Sequence, residues 1–267
     1  MTLLEFSFSA PEAPAPGLEV HHPLARRPAG LMREAKVAVQ RLKYQLRPDM
    51  SPLKVFSPHR AMFVRLPKNA STSLMDFLYP DVPASFLPHF GADYYRRVFP
   101  NHFTQYLVFA SLRNPLERFA SAFSYYKNFS TVPEERKMMD EDLSFIKTME
   151  DFLYWLNDHE RLENAEVMNW LHFRRQRDYI CDTSGNMIVD MMFPIEDMQP
   201  GLKVLGRFTG VERRITRRHA SAKTKVGRLP LDRVRDHYGE DTALWNLVHT
   251  SKIGFTSRQA LRAWEWI

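Results

Sequence analysis

The segment Phe63-Val64-Arg65-Leu66-Pro67-Lys68-Asn69-Ala70-Ser71-Thr72-Ser73-Leu74 decides how this chain is read. The apolar run from Arg60 to Leu66 reads as a buried strand and ends at Pro67. A lysine follows at once, and small hydroxyl residues open what reads as a helix over Thr72 to Leu78. A helix start presents free N–H groups and the positive end of the macrodipole, so an anion belongs at residues 69–73. Ser71, Thr72 and Ser73 can add hydroxyl donors, and Lys68 a mobile point charge. The same residues also suit an ordinary Ser/Thr cap beside an exposed lysine. The loop is not a Walker A motif, which needs glycines first and its lysine late.

A second unit of the same kind follows. Tyr106 to Leu112 (YLVFASL) is apolar, Arg113-Asn114-Pro115 breaks it, and Leu116 to Lys127 reads as a helix with Phe119, Phe123 and Tyr126 on one face. Arg113 stands at a strand end, where open α/β sheets bind ligands, and Ser121 lies about two helical turns further on. A guanidinium fork and a hydroxyl could share one phosphate there. The plainer alternative pairs Arg113 with Glu117 and leaves Ser121 as helix filler. Two strand–loop–helix units predict an α/β fold: a P-loop-like central parallel sheet flanked by helices, with a largely helical C-terminal part.

Outside these units, residues 1–30 are proline-rich and read as an irregular arm, and residues 31–267 as a single domain. Residues 31–47 read as an amphipathic helix with Leu31, Ala35, Val39, Leu42 and Leu46 on one face. Thr148 to Asp151 resembles a capping box, residues 161–173 form a helical candidate, and residues 178–193 read as a hairpin around Thr183 to Asn186. The remainder reads as helices broken at Gly239 and Gly254.

Lysine and arginine number 37 against 31 aspartates and glutamates, and the pI is about 9.4. That surplus points to an anionic partner without choosing among nucleic acid, membrane, polysaccharide and phosphorylated small molecule. Cys181 is the single cysteine, so an intrachain disulfide is excluded, and it reads as a small buried hydrophobe. No run of about 18 apolar residues predicts a membrane span. The first twenty residues lack the basic start of a signal peptide.

The order strand–PKxxSTS–helix, then strand–RxPxxRxxSxxxxY–helix, resembles the sulfotransferases that use 3′-phosphoadenosine-5′-phosphosulfate (PAPS). The nearest flavour is the carbohydrate branch, similar to heparan sulfate 2-O-sulfotransferases and their bacterial relatives. The resemblance implies that Lys68, Asn69, Ala70, Ser71, Thr72 and Ser73 hold the 5′-phosphosulfate. It implies that Arg113 and Ser121 hold the 3′-phosphate, with adenosine 3′,5′-bisphosphate as the product and no metal.

The chemistry needs a base at the acceptor hydroxyl, and histidine suits it. Similar enzymes place that histidine between the two loops, which selects His89; His102 and His172 are the alternatives. By the same resemblance Arg65 faces the acceptor, and His172, Arg174 and Gln176 are acceptor-side candidates. For Arg174 the plainer reading is a solvated basic face shared with Arg175 and Arg177.

The basic stretch Glu212 to Arg228 resembles the late loop that closes over the 3′-phosphate, with Lys223, Thr224 and Lys225 as candidates. Its Gly227 falls late for that register, and a nucleic-acid patch would want interleaved aromatics that the stretch lacks.

The expected function is therefore sulfuryl transfer to a carbohydrate or glycolipid hydroxyl, and the basic surplus suits an anionic acceptor. The competing classes are a P-loop kinase and a non-catalytic module that binds anions or nucleic acid. Animal relatives are Golgi membrane proteins. Without an anchor this chain is expected to be a bacterial cytoplasmic enzyme, with attachment at the inner-membrane surface as the variant.

Overall fold

A computed structural model of the chain describes residues 29–130, 132–158, 167–213, 215 and 231–256. Four strands form one sheet in chain order: β1 (Ala61–Phe63), β2 (Leu107–Leu112), β3 (Met191–Pro194) and β4 (Gly254–Phe255). β1, β2 and β3 run parallel, and β4 closes the edge antiparallel to β3. Every residue of β1, β2 and β3 is buried. This explains their unbroken apolar runs, since a parallel sheet is covered on both faces. The expected α/β class holds.

Both predicted strand–loop–helix units form. β1 leads to the helix Ser71–Leu78, and β2 leads to the helix Pro115–Asn128. The second starts with Pro115 at its first position, and the Asn114 side chain accepts from the N–H groups of Leu116 and Glu117. Proline costs nothing there because that N–H has no partner in any helix. The capping box at Thr148 is present and starts the helix Met149–Asn157.

The core has two parts. One wraps the sheet, with Phe63 stacked on Phe109 at 5.0 Å. The other lies under the helix Pro115–Asn128, where Phe119, Phe123, Phe152 and Phe173 cluster and Phe119 meets the Tyr238 ring. The aromatic face expected on that helix is the one that is buried.

Two expectations are corrected, the hairpin over 178–193 and the helix over 161–173. Residues 178–193 do not form a hairpin. Arg177–Ile180 is a short helical turn because the Asp241 carboxylate caps it, accepting from the Gln176 and Arg177 N–H groups at 2.6 and 2.9 Å. A single bridge, Cys181 to Met187, remains of the ladder, and the second run instead enters the sheet as β3, parallel to β2.

The helix expected over 31–47 spans Ala29–Leu46, and Ala35, Val39, Leu42 and Leu46 of its apolar stripe face outward. Val37 is the buried side chain, and Arg33 and Arg41 on the inner face bind Asp93 and the Arg97 carbonyl. The helices do break at Gly239, where Asp232–His237 gives way to Gly239–Ser251, and the second ends before Gly254, which lies in β4. The described part of the 161–173 candidate is mainly turns. The predicted arm, apart from its last two residues, lies outside the described residues.

Candidate active site

Because β1 and β2 are adjacent and parallel, the two loops that follow them emerge at the same end of the sheet. They are also tied together. Asn69 is fully buried, and its amide donates to the Ser111 carbonyl at 2.7 Å and to Gln176 Oε1 at 2.6 Å. Ser111 Oγ donates back to the Asn69 carbonyl at 2.8 Å. Gln176 Oε1 also accepts from the Arg113 N–H at 3.0 Å, and Gln176 Nε2 donates to the Arg113 carbonyl at 2.9 Å. Gln176 is thus committed between the two corners. It braces them.

The first loop adopts a conformation that L-residues avoid. Lys68 and Ala70 have φ of 65° and 54°. Each left-handed residue costs roughly 1 kcal/mol, so the surroundings must hold it. Three successive carbonyls are held from behind: Pro67 by Arg118 Nε at 3.1 Å, Lys68 by Arg113 Nη1 at 3.2 Å, and Asn69 by Ser111. With its carbonyls taken on one side, the loop can turn N–H groups to the other, the form of a backbone anion nest. The helix begins at Ser71, so its first amides add to that face. Ser71 and Ser73 are buried and Thr72 is half-buried.

Positive charge gathers around this loop. Lys68 Nζ lies 4.7 Å from the centre of the Tyr125 ring. Burial, and then the neighbouring Arg113, lower its pKa to about 8. Arg118 is completely buried and donates to the Pro67 and Arg174 carbonyls. Neither Lys68 nor Arg118 forms an ion pair with a carboxylate among the described residues. Arg113 has Glu117 at 3.8 Å, so the plainer reading of that arginine is partly realised as well. Ser121 is buried two turns into its helix. The site's chemistry suits a multiply charged anion.

His89 sits beside this cluster. Its Nδ1 lies 2.8 Å from the Arg65 carbonyl, which only accepts. The ring proton therefore belongs on Nδ1, and Nε2 keeps its lone pair. Burial, and then Arg65, lower the His89 pKa to about 4, so the ring is neutral at pH 7. Arg65 is buried and its guanidinium donates to the Leu87 carbonyl. It fastens the segment bearing His89 to the end of β1.

His172 is the second ring of the site, 6.1 Å from His89 and 4.2 Å from Tyr125. Its pKa falls to about 3, through burial and then His89. Its Nδ1 is buried without a hydrogen-bond partner among the described residues. Arg174 is exposed, with its guanidinium over the Tyr179 ring. Arg175 and Arg177 pair with Glu240.

His102 is removed from consideration by strand direction. It precedes β2, packed against Phe99 and Tyr106, whereas the site follows β2. Six strand residues separate these ends by roughly 20 Å. Lys223, Thr224 and Lys225 lie outside the described residues.

Two residues here had no reading as functional in the sequence. Tyr125 meets Lys68 only through the fold, and nothing local marks it. Arg118 stood inside the second motif, and its complete burial is the feature that distinguishes it.

The family model for the sulfotransferase family matches residues 51–243, most of the chain and both loops. The chain belongs to the sulfotransferase family. No curated protein and no solved structure matches it.

Proposed function

We propose that this chain transfers the sulfuryl group of PAPS to a hydroxyl of a carbohydrate or glycolipid, in the manner of the heparan sulfate 2-O branch. The observation that carries the reading is the joining of the two corners by Asn69, Ser111 and Gln176. It gives one site two anion-binding ends. PAPS supplies an activated sulfuryl group on a phosphate leaving group, with a second phosphate at the 3′ position.

The residues divide the work by position. The amides and hydroxyls of residues 69–73 hold the 5′ end, and Lys68 neutralises charge growing on the bridging oxygen. Arg113 holds the 3′-phosphate, together with Ser121 where that hydroxyl opens to it. His89 Nε2 takes the acceptor proton as the new S–O bond forms and the bridging S–O bond breaks. Bound anionic phosphates would offset Arg65 and Lys68, raising the His89 pKa toward a useful range. His172 and Tyr125 line the acceptor side. Lys223 to Lys225 are proposed to close over the adenosine end.

Two assays test this. Adenosine 3′,5′-bisphosphate at a hundredfold over Kd should stabilise the fold by about 2.7 kcal/mol, while ATP with magnesium should not. Radiolabelled sulfate from PAPS should appear on a glycan acceptor. Stabilisation by ATP alone would favour a kinase, and stabilisation by neither nucleotide would favour a non-enzymatic anion-binding module.

A further inference from the structure

The helix Ala29–Leu46 is amphipathic the wrong way round for a core helix. Its inner side holds it to the protein by polar and aromatic contacts. Arg33 pairs with Asp93 at 2.6 Å, Arg41 Nε donates to the Arg97 carbonyl at 2.9 Å, and Tyr44 stacks on Phe99 at 5.5 Å. Its outer side carries Val39, Leu42 and Leu46, which are 67%, 54% and 70% exposed. Ala35 continues the stripe backward, and Met50, 43% exposed, follows in the next short helical turn. Single exposed apolar residues mean little, but a row of four along one helix face marks an interaction surface.

We propose that this face docks on an anionic lipid membrane. At about 100° per residue, Lys36 and Lys43 lie along one edge of the stripe. Both are exposed. The two nearby carboxylates are already engaged, Glu34 by Arg97 and Asp49 by Arg47. An apolar stripe bordered by lysines matches the boundary between acyl chains and anionic headgroups.

The whole chain adds a net charge of +6. No described helix is long and apolar enough to cross a membrane, so this contact lies on the surface. A second copy of the chain fits less well. The steps of four, three and four could form a helix pair, but an antiparallel partner would bring Lys36 and Lys43 against their counterparts. The inference is independent of the donor and acceptor proposed above.

The test is flotation of the full chain with vesicles. One set contains about 30 mol % phosphatidylglycerol in phosphatidylcholine and the other phosphatidylcholine alone. Partitioning should be at least tenfold stronger on the anionic set and fall at high salt. The double variant Val39→Asp, Leu42→Asp should lose most of it, and so should Lys36→Glu, Lys43→Glu. Both should keep the wild-type Tm and bisphosphate affinity. Should the apolar pair fail to fold, the lysine pair alone carries the test. Three results would each overturn the proposal: no binding to anionic vesicles, equal binding by the lysine variant, or sedimentation showing a dimer that Leu42→Asp dissociates.

Discussion

Replacing Gln176 by alanine should damage the fold and the nucleotide site together. The side chain is buried and makes three hydrogen bonds, to Asn69, to the Arg113 N–H and to the Arg113 carbonyl. Asn69 keeps the Ser111 carbonyl as a partner after the change. The two backbone groups of Arg113 lose the Gln176 side chain as a partner. At about 1 kcal/mol net for each lost hydrogen bond, the three together cost roughly 3 kcal/mol.

At about 2–4 °C per kcal/mol for a chain of this size, Tm should fall by roughly 10 °C. Arg113 would also lose its hold, so affinity for adenosine 3′,5′-bisphosphate should drop at least tenfold. Scanning calorimetry and titration calorimetry on the same preparation read both effects. Gln176→Glu should lie between wild type and alanine, because it keeps the acceptor and loses only the Nε2 donor. An alanine variant with Tm within about 2 °C of wild type and changed only in acceptor KM would refute the brace. It would return Gln176 to the acceptor side.

The remaining predictions concern three histidines and the lysine. His89→Gln should leave bisphosphate affinity within about twofold and remove turnover by a factor of about 10² or more, the usual contribution of a general base; transfer of labelled sulfate reads it. Tyr125→Leu should lower the Lys68 pKa further, since the ring favours the charged amine, and the alkaline limb of the turnover profile near pH 8 should move to lower pH. His89, His172 and His237 all have folded pKa values below the ordinary 6.5, at about 4, 3 and 4, each mainly through burial. The unfolded chain then binds more protons than the native one between these values and 6.5. Stability is full above pH 6.5 and declines as pH falls toward 4, which urea titrations at stepped pH will show.

The two strand–loop–helix units were legible because each is written in a continuous stretch: an apolar run, a breaker, a cap, a helical period. The helix Ala29–Leu46 was legible as a helix but not in its orientation. Periodicity reports that a face is apolar, not that it faces inward. Here distant partners, Asp93 and the Arg97 carbonyl, hold the polar face against the protein.

β3 was mistaken for half of a hairpin for a similar reason. Its apolar run suits either a local or a distant partner, and the Asp241 carboxylate that converts the preceding residues into a helical turn lies more than fifty residues away. In the site, Lys68, Arg113 and His89 were reached through the motifs and the family resemblance. Arg118 and Tyr125 were not, because burial beneath one loop and a ring beneath one amine are properties of the assembled fold.

The account rests on Arg113 and the Lys68 loop serving opposite ends of one nucleotide, and titration calorimetry with two ligands tests that most directly. Wild type should bind adenosine 3′,5′-bisphosphate at least tenfold more tightly than adenosine 5′-monophosphate. Arg113→Ala should erase that preference while binding the monophosphate almost as well as wild type does. A preference that survives Arg113→Ala in a folded protein, or a wild type indifferent to the 3′-phosphate, would contradict the account.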